Sequence, residues 1–344
     1  MGQARVVALD AGAKTFATGL LPDLIAALSG CAPGDLLRVS ARDASLGTDL
    51  ESWCRMTRNA IVAIATTPEA TSWTVRCGAV AESFQPERLV GSRLWLYANF
   101  DCNLRCDYCC VRSSPRAPRR ALGLARFRQI AAEAAQLDVS EIFVTGGEPF
   151  LLPDIAESVA ACAATAPTTL LTNGMLFKGR RLEALRSLAG LGVTLQISLD
   201  SPTPERHDLH RGEGSWLKAW SGVQTARAEG FRVRIAATVT TDEEEQAFGR
   251  FLDDGNVAAE DRVVRRIALR GAADEGVPIA RADLVPEVTI TADGVYWHPV
   301  GAEDDDLLVT REIFPLATAF SAVRTAYDHE HRNANRLASI FNCA

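Results

Sequence analysis

Cys102-Asn103-Leu104-Arg105-Cys106-Asp107-Tyr108-Cys109 follows the apolar run Leu94-Trp95-Leu96-Tyr97. Three cysteines at C-x3-C-x2-C spacing can converge on one cubic iron–sulfur cluster, each thiolate holding one iron. A cube has four corners, so one iron lacks a protein ligand and stays open to a substrate or cofactor. A closed electron-transfer cluster takes four cysteines, and a structural zinc site fills all its positions with protein ligands. Asp101, Arg105 and Asp107 make the stretch a charged loop after a strand, a poor place for cysteines that merely pack.

Working outward, strands are expected at Leu94–Tyr97, Ile142–Thr145, Thr168–Leu171, Val193–Leu199, Val233–Val239 and Val263–Leu269, with helical stretches between them. The clearest helix is Leu124 to Leu137, which puts Leu124, Phe127, Ile130, Ala131, Ala134 and Leu137 on one face. This alternation predicts a parallel sheet, whose functional residues belong at the carboxyl ends of the strands. After the second strand comes Gly146-Gly147-Glu148-Pro149. The glycines allow close backbone approach to a ligand, and the carboxylate of Glu148 offers a partner to an ammonium group.

The cysteine spacing, the aromatic Tyr108 before the last cysteine and the Gly-Gly-Glu-Pro run together resemble the radical S-adenosylmethionine (radical SAM) enzymes. The resemblance implies a partial (β/α)6 barrel, a [4Fe-4S] cluster on Cys102, Cys106 and Cys109, and S-adenosylmethionine chelated to the open iron. An electron from the cluster would then release a 5′-deoxyadenosyl radical. Gly146, Gly147 and Glu148 would hold the methionyl amino group, with Tyr108 also at the cofactor. Ser198 and Asp200 alternate onto one face of the fourth strand, and the family uses this place for the ribose or the methionyl carboxylate. The loop His207-Asp-Leu-His-Arg211-Gly resembles the one whose arginine meets that carboxylate, a task that suits a guanidinium; a solvated arginine is the other reading. Thr172-Asn173-Gly174 is either a polar turn or a ligand contact through Asn173. On the sixth strand, Arg265-Arg266-Ile-Ala-Leu-Arg270, Arg270 is expected at the carboxyl end facing an acidic substrate group, or else on the surface. The basic loop Arg112 to Arg120 either receives an acidic one-electron donor, such as flavodoxin or ferredoxin, or is simply solvated.

Residues 1–85 read as a small βαβαββ unit: a strand at Val6–Leu9, a helix from Pro22 to Leu28, a strand at Asp35–Val39, a helix from Leu46 to Met56, then strands Ala60–Ala65 and Thr71–Val75. Pro33-Gly34-Asp-Leu-Leu-Arg-Val-Ser and Trp53-Cys54-Arg55-Met56-Thr57 resemble the TusA-type sulfur carriers. Their Cys-Pro nucleophile is replaced here by Leu21-Pro22, so a scaffold or interaction module is expected, with Cys31 and Cys54 as packing residues. Residues 86–272 form the expected barrel after a linker at 86–91, and 273–344 an extension. Within that extension Val288-Thr-Ile-Thr-Ala-Asp293-Gly294-Val-Tyr296-Trp-His298-Pro resembles a degenerate SPASM or twitch hairpin with His298-Pro299 in the cysteine's place. The tail from Ile313 to Ala344 reads as helical and as a cover for one barrel opening.

Hydrophobic residues at 47% and charged residues at 23% describe a globular chain with ample core. A net charge of −7 and a pI near 5.4 argue against a nucleic-acid partner. No signal peptide and no membrane span is legible, and nine cysteines without a small-secreted layout suit a reducing cytoplasm. After Cys162 only Cys343 remains, too few for an auxiliary cluster. That predicts redox-neutral chemistry on a small-molecule substrate, with Tyr296 or His298 as the group returning a proton. The overall plan resembles the cytosylglucuronate decarboxylases of nucleoside-antibiotic pathways. The alternatives are a peptide (RiPP) maturase of the same superfamily and a non-enzymatic iron–sulfur carrier or regulator.

Overall fold

Aliphatic residues between Val6 and Arg76 build a four-stranded sheet, and apolar runs from Arg93 onward build a nine-stranded one, in a computed structural model of the chain. Backbone clustering separates two units, Met1–Leu89 and Val90–Ala344. The structure describes residues 5–12, 14, 20–29, 31–32, 34–42, 46–47, 50, 53–54, 59–67, 70–77, 90 and 92–340, with backbone alone at 21, 22, 25, 29 and 331–340. Among these residues no helix is long and apolar enough to cross a membrane.

In the first unit β1 (Val6–Gly12) pairs parallel with β2 (Leu36–Ala41), and β4 (Thr71–Arg76) lies antiparallel between β2 and β3 (Ala60–Thr66). The helix Leu20–Ser29 crosses between β1 and β2, starting two residues before Pro22. Of the second expected helix, residues 46, 47, 50, 53 and 54 are helical, and the others lie outside the described residues, as do the side chains of Leu21 and Pro22 and the linker residues Pro86 and Gly91. The core gathers Leu20, Leu24, Leu37, Val39, Trp53 and Trp73, with Cys31, Cys54 and Cys77 buried among them.

In the second unit β5 (Arg93–Tyr97), β6 (Glu141–Thr145), β7 (Thr168–Thr172), β8 (Thr194–Ser198), β9 (Arg232–Val239) and β10 (Arg262–Arg266) are parallel neighbours in chain order. The sheet is open, not a closed barrel, since β10 forms one edge. Strands flanked on both faces read as continuous apolar runs, and Ile142, Phe143 and Val144 of β6 are all buried. The helix Leu124–Ala134 buries Phe127, Ile130, Ala131 and Ala134, the face its periodicity requires.

Strand β10 ends three residues earlier than expected. Beyond Arg266 the chain turns away to pair with Val277: Val277 N–H donates to Ile267 O and Leu269 N–H to Val277 O, both at 2.8 Å. Gly271 then adopts a left-handed φ of 64° against the Cys109–Cys110 backbone. Arg270 therefore does not stand at a strand end facing a substrate. Its guanidinium is spent on Asp304 (3.1 Å), Asp306 (2.8 and 2.9 Å) and the carbonyl of Ile279 (2.8 and 3.1 Å).

The extension completes the sheet on its other side. β11 (Val288–Thr291) runs parallel to β5, and β12 (Gly294–Tyr296) and β13 (Leu308–Thr310) follow antiparallel. The basic loop is clamped to this extension, Arg112 on Glu303 and Asp304 and Arg120 on Asp293 and Glu303, which neutralises two of its charges. The helix Leu316–Ile340 buries Leu316, Phe320 and Val323. It is tied to Glu133 through the Leu316 N–H and to the Val90 carbonyl through Arg324, on the flank and ahead of β5 instead of over the strands' carboxyl ends.

Replacing Arg270 by Met should cost about 1–2 kcal/mol through lost charge-assisted hydrogen bonds, and lower the melting temperature by roughly 2–8 °C. An unchanged melting temperature would show that this clamp contributes nothing to the extension's docking.

Candidate active site at the carboxyl ends of the parallel strands

A cavity of about 430 Å³ opens where β6 to β10 end, and Cys102, Cys106 and Cys109 line it together with Tyr108. The cysteine loop is held from four sides by backbone hydrogen bonds: Cys102 N–H to Ser114 O (3.2 Å), Asp107 N–H to His210 O (3.3 Å), Ala272 N–H to Cys109 O (2.8 Å) and Glu148 N–H to Asp101 O (3.0 Å). Leu104 N–H donates to Cys102 Sγ at 3.4 Å and Ser113 N–H to Cys109 Sγ at 3.3 Å, contacts that favour thiolate. Burial opposes them, pushing Cys102 up to about 12 and Cys106 up to about 11, so iron has to displace a proton from each.

Among the described residues no three His, Cys, Asp or Glu side chains gather around a single-ion site. A cluster makes a different demand: three thiolates set apart around one recess, each for its own iron. Cys102, Cys106 and Cys109 all line the one recess, and adjacent Cys110, also in the wall, lies against Tyr97 with its thiol pushed up to about 11 by burial.

Gly146 and Gly147 make room for chain before they make room for ligand. A Cβ on Gly147 would stand 2.2 Å from the Asp101 carbonyl oxygen, and one on Gly146 would stand 2.5 Å from Asn99 Oδ1. Both glycines also line the cavity, so their backbone is what a ligand meets. Glu148 does not face it. Its buried carboxylate accepts from Phe150 N–H (3.0 Å), Thr172 hydroxyl (2.8 Å) and Asn173 N–H (2.8 Å), which ties the β6 loop to the end of β7. The expected ammonium partner thus serves as a brace, buried and turned from the cavity with three protein donors on its carboxylate.

Ser198 lines the cavity, whereas Asp200 turns inward as the hub of a buried network. It receives Arg211 Nε (2.6 Å) and Nη2 (3.1 Å), Thr238 N–H (3.1 Å) and the Tyr108 hydroxyl. Burial alone would raise the Asp200 carboxyl, but the Arg211 guanidinium holds it below its ordinary value. The pair orients Arg211 bidentately, leaves Nη1 out of the exchange and sets the residue in the cavity wall. Asn173 is in the wall too, with its amide committed to Asn103 (2.8 Å) and Met175 (3.0 Å).

Of the two expected proton donors only His298 reaches the cavity. Its Nδ1 accepts from Val300 N–H at 3.1 Å, which leaves the proton of the neutral ring on Nε2. Burial, and then the charge of Arg265, push its pKa down to about 4. Tyr296 is buried in β12 among Asp293, Arg311 and Arg120, away from the cavity wall. Arg265, Tyr97 and Cys110 line the cavity and were not singled out from sequence. The strand-end rule would have found Arg265 had the sixth strand been ended at Arg266.

Residues 99–254 match the sequence model of the Radical SAM superfamily. GTP 3′,8-cyclase of Microcystis aeruginosa is 34% identical over 140 residues, covering 38% of this chain and 42% of that protein. The antilisterial bacteriocin subtilosin biosynthesis protein AlbA of Bacillus subtilis is 32% identical over 150 residues (42% of this chain, 33% of that protein), and mycofactocin maturase MftC of Mycobacterium tuberculosis 34% over 143 residues (41% and 36%). The chain thus spans about two fifths of the first of these relatives. Among solved structures, native anSMEcpe with bound AdoMet and Kp18Cys peptide superposes with a TM-score of 0.53 at 14% identity, covering 66% of this chain and 79% of that one, a likeness of fold alone.

Anaerobic reconstitution should load about four irons per chain. Cys102→Ala, Cys106→Ala or Cys109→Ala should each lose them and Cys110→Ala should not; full iron in Cys106→Ala would refute the ligand set. Gly147→Ala should lose roughly 1–3 kcal/mol from the overlap with Asp101 and load iron poorly, which melting and iron analysis together would show. His298 has a folded pKa below its unfolded value, so its contribution to stability is full above about 6.5 and lost as pH falls toward 4. Melting temperatures measured across that window should fall less in His298→Gln than in the parent.

Proposed function

We propose, from the premise that residues 99–254 form a radical SAM domain, that this enzyme performs redox-neutral chemistry on a small acidic molecule, namely decarboxylation of a glucuronate-type sugar or nucleoside acid. Held on the three thiolates, a [4Fe-4S] cluster with S-adenosylmethionine supplies a 5′-deoxyadenosyl radical that removes a hydrogen atom from the substrate. On this reading Arg211 would meet the cofactor's carboxylate through Nη1 and the carbonyls of Gly146 and Gly147 its ammonium group, with Ser198 and Tyr108 also at the cofactor.

The observation that carries the reading is the composition of the cavity wall at His298. The hairpin place where a cysteine for a second cluster would stand is His298, and within this chain Cys162 is followed only by Cys343. A substrate radical in this cavity therefore meets a neutral imidazole N–H instead of a protein-bound electron acceptor. After loss of carbon dioxide, uptake of one electron and two protons returns the product to the level of the starting acid. His298 stands where it can deliver a proton, directly or through one water. The electron comes from an external donor of the flavodoxin or ferredoxin class, for which exposed Arg116 and Arg119 offer a basic contact. A reducing cytoplasm suits such a donor, and residues 1–89 then serve as a scaffold or interaction module. The names of the AlbA and MftC relatives support a second reading, a peptide maturase.

Reconstituted enzyme in deuterium oxide, offered uronic acids and their nucleosides, should yield a product short of carbon dioxide that carries solvent deuterium. A product two electrons more oxidised than its substrate, or turnover of peptides alone, would refute the proposal. His298→Phe should raise the ratio of 5′-deoxyadenosine to product several-fold, since hydrogen removal continues while protonation is impaired.

A further inference from the structure

The cavity wall contains a cation that no side chain among the described residues neutralises. Arg265 lies on β10 one residue before its end and lines the same cavity as the three cysteines. The arginines around it are all committed: Arg262 to Asp253 at 2.7 Å, Arg266 to Asp242 and Glu245, and Arg270 to Asp304 and Asp306. Arg211, across the cavity, is held by Asp200. Among the described residues Arg265 has neither a hydrogen bond nor an ion pair.

The groups that feel its charge are Tyr97, Cys110 and His298, all in the same wall. None is an anion at neutral pH. The Tyr97 hydroxyl is turned to the Pro299 carbonyl at 2.7 Å, and His298 presents a donor N–H. Glu287, the carboxylate in the wall, is already taken by Arg93 at 3.3 Å and by the Trp95 indole N–H. The exposed Arg265 guanidinium fork and the His298 imidazole N–H, which line the same cavity, together make a two-point seat for a planar oxyanion. A single arginine balances the one charge of a carboxylate; a phosphate monoester or a triphosphate brings more.

We propose that Arg265 anchors the substrate through a carboxylate, with His298 as the second donor. This deepens the function proposed above, and it rests on that reading only in taking this cavity as the substrate's place.

The test is calorimetric titration of the full chain, reconstituted anaerobically and saturated with S-adenosylmethionine, with D-glucuronate, D-glucose and D-glucose 6-phosphate. The wild type should prefer glucuronate to glucose by on the order of tenfold or more, the worth of one charge-assisted pair. Arg265→Met should erase the preference, and Arg265→Lys should restore part of it. Melting temperature and iron content should stay near wild type in both variants, because Arg265 makes no bond that they remove. Equal affinity of the wild type for glucuronate and glucose, a preference that survives in Arg265→Met, or tighter binding of the sugar phosphate would each overturn the carboxylate seat. An Arg265-dependent preference in an enzyme whose product is oxidised would instead overturn the redox-neutral reading and leave the seat standing.

Discussion

The close backbone contact between the ends of β5 and β6 is the constraint on which the site depends. Gly147 N–H reaches Asn99 O at 2.9 Å and Glu148 N–H reaches Asp101 O at 3.0 Å, while the Asn99 amide returns a hydrogen bond to Glu148 O at 3.1 Å. These contacts require two residues without a Cβ, since a methyl group on either would overlap Asn99 or Asp101. They set the direction in which the chain enters Cys102. The Glu148 carboxylate then fixes the same loop to β7, so three consecutive strand ends become one rigid wall. A cluster held by only three thiolates needs such a wall, because the ligands must stay in place while one corner remains open.

Charge is distributed around the cavity with the same economy. Asp200 and Arg211 form a buried, bidentate pair that would be costly to separate, and it sets one guanidinium in the cavity wall. Arg266 and Arg270 stiffen the rim through carboxylates on the neighbouring helix and on the extension. Arg265, immediately before Arg266 in sequence, is left for a molecule that comes from outside. Adjacent residues on one strand thus have opposite uses, decided by whether a carboxylate stands opposite.

The extension acts on the site through position. By pairing β11 with β5 it brings Pro299 against Tyr97 and sets His298 in the cavity wall. His298 there is held neutral by burial.

The cysteine spacing, the Gly-Gly-Glu-Pro run and the six apolar strand segments are local patterns, and they determined the parallel sheet and the end of it at which the three cysteines line a cavity. They could do so because each depends on residues close in sequence: thiolates within one loop, glycines at one turn, alternation along one strand. Direction and partnership were decided only by the tertiary structure. Glu148 looked like a free carboxylate until Thr172 and Asn173 folded onto it, and Arg270 looked like a strand end until the chain broke away to Val277 and met Asp304 and Asp306. Tyr296 and His298 are two residues apart, yet one is buried away from the cavity and the other lies in its wall, because the chain leaves β12 between them. A sequence shows which side chains carry charge; only the fold brings up the counter-ion, and so decides which charge remains for a substrate.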